Sequence, residues 1–280
     1  MDRLWSLLFL AVPIMGVAIV LGAAADVGMT NRWLPESIGP RTLGIDYLFD
    51  LIHAILGVVF LFTGLILAFC LWRFRASART TASFVKTNWI LEFLWTVIPA
   101  GILIFLALYQ LPFWQQNKEQ HPAIVSGIVF DTDDYLPPIA RVVARQYGWK
   151  FIYPGRDGQF DTQDDIISEN VMVLPANEEL VLELVSEDVI HSFCVTQLRL
   201  KQDIVPGLQP HIWFQISEEG EWEIHCMELC GWGHYRMSAR LIVLPRQQYD
   251  LWKAFQSQFS DQNRQQRRSE IDPRTRGRFD

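Results

Sequence analysis

The chain has 280 residues, a formal net charge of −7 at pH 7 and a hydrophobic content of 50%. That content is high for a wholly water-soluble protein, and the acidic balance excludes a protein that binds nucleic acid through a basic surface. The hydrophobic excess lies in residues 1–114, whereas residues 115–280 have the composition of an ordinary water-soluble domain.

Three long apolar stretches occupy the first part of the chain, at residues 4–25, 47–72 and 89–113. Each reaches the roughly 20 residues that a helix needs to cross the hydrocarbon core of a bilayer. The first stretch follows Arg3 and ends in a run of alanines, which is also the pattern of a cleaved signal peptide. Because it is longer than the usual apolar part of a signal, we expect a retained helix and an all-α transmembrane segment of three spans within residues 1–113.

The connection between the second and third stretches, residues 73–88, carries four basic residues and no acidic one. By the positive-inside rule this connection faces the cytoplasm. The N-terminus is then also inside, and everything from residue 114 onward lies on the outer face of the membrane.

Residues 114–245 change to short β-type runs that are broken by proline and glycine. The candidate strands are residues 140–153, 170–174, 179–186, 189–197, 210–216, 221–226 and 237–244. Short strands at this density predict an all-β Greek-key sandwich or barrel. Residues 246–280 complete the chain: 246–258 have helical spacing, and the polar, basic tail after them is expected to be disordered unless a partner holds it.

The segment 226–237 concentrates metal-binding side chains, namely Cys226, Cys230, His234 and Met237. Thiolate and thioether are soft ligands that select copper(I), zinc or iron–sulfur clusters, and imidazole suits both copper and zinc. A zinc site more typically has a second cysteine or histidine pair and no methionine, so the methionine favours copper. His191, at the end of a candidate strand upstream, could supply a second imidazole.

The pattern Cys-x-Glu-x-Cys-Gly-x-x-His-x-x-Met resembles the copper A motif of the cytochrome c oxidase subunit II family. Residues 186–193 resemble the strand that carries the first ligand of that family, and residues 200–207 resemble its Leu-Lys-x-Asp-x-x-Pro-Gly turn. Residues 92–99 resemble the Glu-x-x-Trp-Thr-x-x-Pro signature of its membrane hairpin. The resemblance covers residues 47–258 and implies a cupredoxin domain behind the transmembrane helices.

The resemblance also implies a set of metal-site residues: His191, Cys226, Glu228, Cys230, His234 and Met237. The two cysteine sulfurs would bridge two copper ions, and each histidine would bind one of them. The methionine sulfur would complete one ion and the backbone carbonyl of the glutamate the other. The side chain of that glutamate would reach a magnesium ion shared with the catalytic subunit.

By the same resemblance, the protein would be the electron-accepting subunit of a respiratory terminal oxidase in the bacterial inner membrane. It would take electrons from a cytochrome c type donor and pass them to the haem of catalytic subunit I, where oxygen is reduced. The sequence of residues 230–237 is similar to that of oxidases associated with alternative complex III. The alternatives are the copper A subunit of a nitric oxide reductase and a structural subunit of the quinol-oxidase type, which would have lost the copper ligands.

Two other roles follow from the resemblance. Glu92 matches a glutamate near the cytoplasmic mouth of a proton pathway, and an acid inside a span is costly unless it is used. The surface tryptophan that receives the electron in the family is replaced here by Tyr147, so Trp149 and Trp232 are alternative candidates.

The predicted external domain is acidic, since residues 114–245 hold about 20 acidic against about 9 basic residues. Such a surface would speed the arrival of a basic electron donor, although acidity also simply keeps a domain soluble. The predicted docking patch consists of Asp157, Asp161, Asp164, Asp165, Glu187 and Asp188.

Overall fold

The computed structural model describes residues 2–24, 33–74, 87–118 and 136–271, and it divides the chain into two compact units. The first unit consists of residues 1–36 and 43–116, and the second of residues 37–42 and 117–280. The first is helical, with α1 at Asp2–Ala24, α2 at Thr42–Arg73 and α3 at Trp89–Lys118. The second contains ten strands and a C-terminal helix, α4, at Arg246–Ile271.

Among the described residues, α2 and α3 are long and apolar enough to span a membrane, whereas the apolar part of α1 is the shorter segment Leu7–Ala23. The expectation of three spans is therefore met for two helices and stays a prediction for the first.

Glycines lie where the helices of the first unit approach one another. A Cβ atom added to Gly64 of α2 would collide with Pro13 of α1, and one added to Gly44 would collide with Phe113 of α3. Small residues of this kind let transmembrane helices pack closely. Because Gly44 is near the start of α2 and Phe113 near the end of α3, these helices run antiparallel. The predicted cytoplasmic connection, of which residues 75–86 lie outside the described residues, joins their other ends.

The strands of the second unit form two five-stranded sheets. Their bounds are β1 Ala140–Arg145, β2 Gly148–Tyr153, β3 Ile166–Glu169, β4 Val171–Pro175, β5 Glu179–Ser186, β6 His191–Val195, β7 Leu200–Ile204, β8 His211–Gln215, β9 Gly220–Cys226 and β10 Ser238–Leu244. The sheet orders are β3-β2-β1-β5-β8 and β4-β10-β9-β6-β7. Two separate sheets enclosing one apolar core make the domain a β-sandwich rather than a barrel, in agreement with the expected cupredoxin-like architecture.

Three details of the strand prediction were wrong. The predicted strand 140–153 is the hairpin β1–β2, which turns at Gln146 and Tyr147. Strands β3 and β7 were missed, and each is the edge strand of its sheet. Edge strands are short and carry polar side chains, as in the sequence LKQDI of β7, so the apolar signal of a buried strand is weak in them.

The segment 37–42, which lies between α1 and α2 in sequence, belongs to the β-sandwich unit. Ile38 is only 2% exposed and lies in the sandwich core. Its N–H donates to the carbonyl of Gln197 at 3.3 Å, and its carbonyl accepts from the N–H of Ser217 at 2.8 Å. One guanidinium nitrogen of Arg41 donates to both carboxylate oxygens of Glu179, at 2.9 and 3.0 Å. The predicted domain start at residue 114 does not include this segment.

Helix α4 closes the end of the sandwich at which β2 and β10 finish. Trp252 packs edge-on against Tyr153 with ring centroids 5.0 Å apart. The helix continues to Ile271, well beyond the predicted range 246–258, because the polar residues that follow are good helix formers such as glutamine, arginine and glutamate. Residues 272–280 of the predicted disordered tail lie outside the described residues.

Candidate metal centre

Three neighbouring strands of the second sheet bring the predicted ligands to one edge. Strand β6 begins at His191 and pairs antiparallel with β9, so that Phe193 lies opposite Cys226. Strand β9 pairs antiparallel with β10, with His225 opposite Ser238. The start of β6, the end of β9 and the start of β10 therefore meet. The residues 227–237, which we call the metal loop, connect β9 to β10 at this edge.

The donor atoms of five predicted ligands lie close together. The Sγ atoms of Cys226 and Cys230 are 3.9 Å apart, far longer than the roughly 2.05 Å of a disulfide. The Nδ1 atom of His191 lies 3.8 Å from the sulfur of Cys226. On the other side, Cys230 Sγ lies 3.7 Å from both His234 Nδ1 and Met237 Sδ. The structure thus gathers two thiols, two imidazoles and one thioether.

This cluster is shielded from water. His191 is 0% exposed, Met237 2%, Cys230 4% and Cys226 6%, whereas His234 is half-buried. Glu228 contributes through its backbone, because its carbonyl oxygen lies 3.3 Å from the sulfur of Cys226. A fully buried imidazole beside two buried thiols and a thioether is a concentration of soft donor atoms, so the cluster has the character of a metal-binding site.

The electrostatics of the two thiols favour a bound cation. Burial opposes ionisation of Cys226, but hydrogen bonds from His191 and from backbone N–H groups lower its pKa to about 6. Burial and the nearby negative charge of Cys226 raise the pKa of Cys230 above its ordinary value. One thiolate therefore forms readily and repels the second, and a metal ion between the sulfurs would remove that repulsion. The donor set fits a soft metal such as copper, while coordination by each atom stays a prediction.

The residues around the donors hold them in place. His191 Nε2 lies 2.8 Å from the Oδ1 atom of Asp188, whose other oxygen accepts the N–H of Gln146 at 2.8 Å. The side-chain amide of Gln146 donates to the carbonyl of Cys230 at 2.5 Å. Sequence reasoning did not identify Gln146 and assigned Asp188 to a docking patch. Their positions depend on contacts between distant strands, which no local pattern encodes.

The three candidate electron-receiving aromatics have different environments. Trp149 is only 2% exposed and packs edge-on against Phe193 in the core, so it cannot contact a docked protein. Trp232, in the metal loop, is 82% exposed. Tyr147 is partly buried against the core. The surface candidates are therefore Trp232 and Tyr147.

Glu92 lies in the first turn of α3, and its backbone N–H donates to the carbonyl of Asn88 at 2.9 Å. The hydroxyl of Thr96 donates to the backbone carbonyl of Glu92 at 2.9 Å. These contacts involve the backbone of Glu92, so its role in a proton pathway stays a prediction.

Apolar helices fit to span a membrane, together with a β-sandwich that holds a buried cluster of thiol, imidazole and thioether donors, define a membrane protein with a candidate soft-metal site. Comparison with known families makes this specific. Residues 26–113 match the family model of the cytochrome c oxidase subunit II transmembrane domain, and residues 145–244 match that of its periplasmic domain. The chain belongs to the cytochrome c oxidase subunit II family and is a component of a haem–copper oxidoreductase complex, which confirms the resemblance.

The relatives include bacterial oxidase subunits. Cytochrome c oxidase subunit 2 of Alkalihalophilus pseudofirmus is 34% identical over 170 residues, which are 60% of this chain but only 45% of that protein. Alternative cytochrome c oxidase subunit 2 of Bradyrhizobium diazoefficiens is 27% identical over 273 residues, covering 90% of this chain and 94% of the relative. Among solved structures, the periplasmic domain of subunit II of cytochrome oxidase of Bradyrhizobium japonicum is 22% identical, with 42% and 92% of the two chains covered and a TM-score of 0.38.

Proposed function

We propose that this chain accepts electrons from a cytochrome c type donor at a binuclear copper A centre and passes them to the haem of catalytic subunit I. The observation that carries the proposal is the gathering of Cys226, Cys230, His191, His234 and Met237 with neighbouring donor atoms 3.7 to 3.9 Å apart. When bound, a copper pair would supply a one-electron carrier, and the two cysteines, two histidines and the methionine would hold it.

The protein contributes by fixing the positions of these donor atoms and by excluding water from them. His191 is oriented from both sides, because its Nδ1 faces the sulfur of Cys226 while its Nε2 is held by Asp188. A carboxylate on the outer nitrogen of a ligating histidine fixes the ring orientation. Strands β6, β9 and β10 form the frame, and Met237 closes the inner side of the cluster with 2% of its surface exposed.

Glu228 is suited to connect this subunit with its catalytic partner. Its backbone carbonyl points at the sulfur cluster, and its half-buried side chain leaves a carboxylate for another ligand. Magnesium prefers carboxylate oxygens and water. We assign to this carboxylate the magnesium ion that would be shared with subunit I.

The donor would contact the exposed face of the metal loop around Trp232 and Tyr147, on the periplasmic side of a bacterial inner membrane. A freely diffusing cytochrome c and a permanently docked alternative complex III are the two candidate donors. Glu92, in the first turn of α3, would lie at the entrance of the proton pathway into the catalytic subunit.

The test is the metal content of the full chain purified in detergent and loaded with copper. Two coppers per chain and an EPR spectrum of a delocalised mixed-valence pair are expected. A single copper with a four-line hyperfine pattern, or zinc retained in preference to copper, would contradict the proposal.

A further inference from the structure

The turn between β1 and β2 touches both halves of the metal centre. Gln146 donates its backbone N–H to Asp188, which holds His191, and its side-chain amide to the carbonyl of Cys230. One residue of the first sheet is thus hydrogen-bonded to both ligand-bearing segments of the second sheet. The distances along this chain are 2.8, 2.8 and 2.5 Å.

The next residue, Tyr147, lies against the metal loop where the loop has two glycines. A Cβ atom on Gly233 would lie 2.6 Å from the Cγ atom of Tyr147, and one on Gly231 would lie 2.6 Å from its hydroxyl oxygen. Gly231 also has φ +140°, which disfavours other residues. Gly233 has an ordinary φ of −89°, so its requirement for glycine comes from the tyrosine ring alone.

We propose that Gln146 and Tyr147 are positioning residues for the metal centre. Together they brace the metal loop from the first sheet and fix Cys230 and His234 relative to His191. The proposal rests on the proposed function only for the identity of the metal. Its physical basis is that a site held to within a fraction of an ångström needs supporting contacts that lock the ligands. Strands β6, β9 and β10 fix the ends of the loop, whereas the middle of the loop is held by the brace.

The first experiment uses the metal-free full chain and measures backbone amide hydrogen exchange. The reporters are the amides of His234, Arg236 and Met237, which donate to carbonyls within the loop at 3.1 to 3.2 Å. Gln146→Leu removes the side-chain hydrogen bond and should speed exchange at these amides about two- to twelvefold, the equivalent of one ordinary hydrogen bond. The matched control is Gln258→Leu on α4, at the opposite end of the sandwich, which should leave them unchanged.

A second set of variants tests the tyrosine contact without relying on Gln146. Gly233→Ala should force Tyr147 and the loop apart and speed exchange, and Tyr147→Ala should do so by removing the ring. In the double variant the alanine methyl occupies space that the ring has left. We therefore expect the loop amides of the double variant, Gly233→Ala with Tyr147→Ala, to exchange more slowly than the summed free-energy changes of the two single variants predict. Strictly additive effects would show that the ring does not brace the loop.

Measurements on the copper-loaded chain distinguish a positioning role of Gln146 from a general effect on stability. Gln146→Leu should shift the reduction potential of the copper centre and broaden its EPR hyperfine pattern, whereas Gln258→Leu should change neither. Unchanged loop exchange and an unchanged potential in Gln146→Leu would overturn the brace, as would faster exchange spread evenly over the sandwich. If the wild-type chain takes up no copper pair but its loop exchange responds as described, the proposed function fails and the brace stands.

Discussion

Replacing Ile38 by alanine should destabilise the β-sandwich, although Ile38 precedes α2 in sequence. The side chain is 2% exposed and belongs to the same core cluster as Leu198 and Ile216. Truncating a buried isoleucine to alanine costs about 2–5 kcal/mol, depending on how far the site can collapse. The segment 37–42 lies at the margin of the sandwich and can move inward, so we expect the lower part of that range, roughly 2–3 kcal/mol.

The assay is urea unfolding of the full chain in detergent, followed by tryptophan fluorescence. With a typical slope of about 1–3 kcal/mol per molar urea, the loss should lower the midpoint by roughly 1 M. The matched control is Ile167→Ala on β3, since Ile167 is 59% exposed and its truncation should cost less than about 0.5 kcal/mol. Equal midpoints for the two variants would refute the view that the linker before α2 is part of the sandwich core.

Cys226→Ser should abolish the mixed-valence EPR signal because one bridging thiolate cannot hold two ions, whereas Cys194→Ser, a buried cysteine outside the cluster, should keep the signal. Met237→Leu should retain copper but shift its reduction potential in a spectroelectrochemical titration, since a thioether is the weakest donor of the set. Cysteines introduced at Ser77 and Ser126 should be labelled from opposite sides of the membrane, and labelling from one side would overturn the predicted topology. Electron transfer from a cationic cytochrome c should slow steeply between low and physiological salt, where the screening length is about 8 Å, and a rate independent of salt would favour a permanently docked donor.

The clustering of the candidate metal ligands was largely predictable because most of these residues are local in sequence. Four donors lie within residues 226–237, and their chemistry alone indicates a soft metal. His191 was less predictable than these four donors. On its own, a histidine at the end of a strand is most simply part of a core, and only the family resemblance identified it as a candidate ligand. The structure supplies the physical reason for its position, namely the antiparallel pairing of β6 with β9 that places His191 beside Cys226.

The features that sequence reasoning missed all depend on contacts between distant parts of the chain. In the sequence Ile38 looks like an ordinary linker residue, but in the structure it is buried in the sandwich core. Gln146 was assigned to a continuous strand, and only the hairpin turn aims its amide at Cys230. Hydrophobic periodicity reports burial along one element, but it does not report which element covers which.

The predicted acidic docking patch is less available than its sequence suggests, because several members are already paired. Asp161 forms an ion pair with Arg141 at 2.8 Å, and Glu187 forms one with Lys150 at 2.9 Å. Asp188 is occupied by His191. A neutralised pair has little field at the distance from which a donor approaches, so we expect steering to depend mainly on the acidic excess of the whole domain. Removing Asp161 would leave Arg141 paired with Glu183 at 2.8 Å, so its effect on the association rate should be about the same as that of removing any other single acid of the domain.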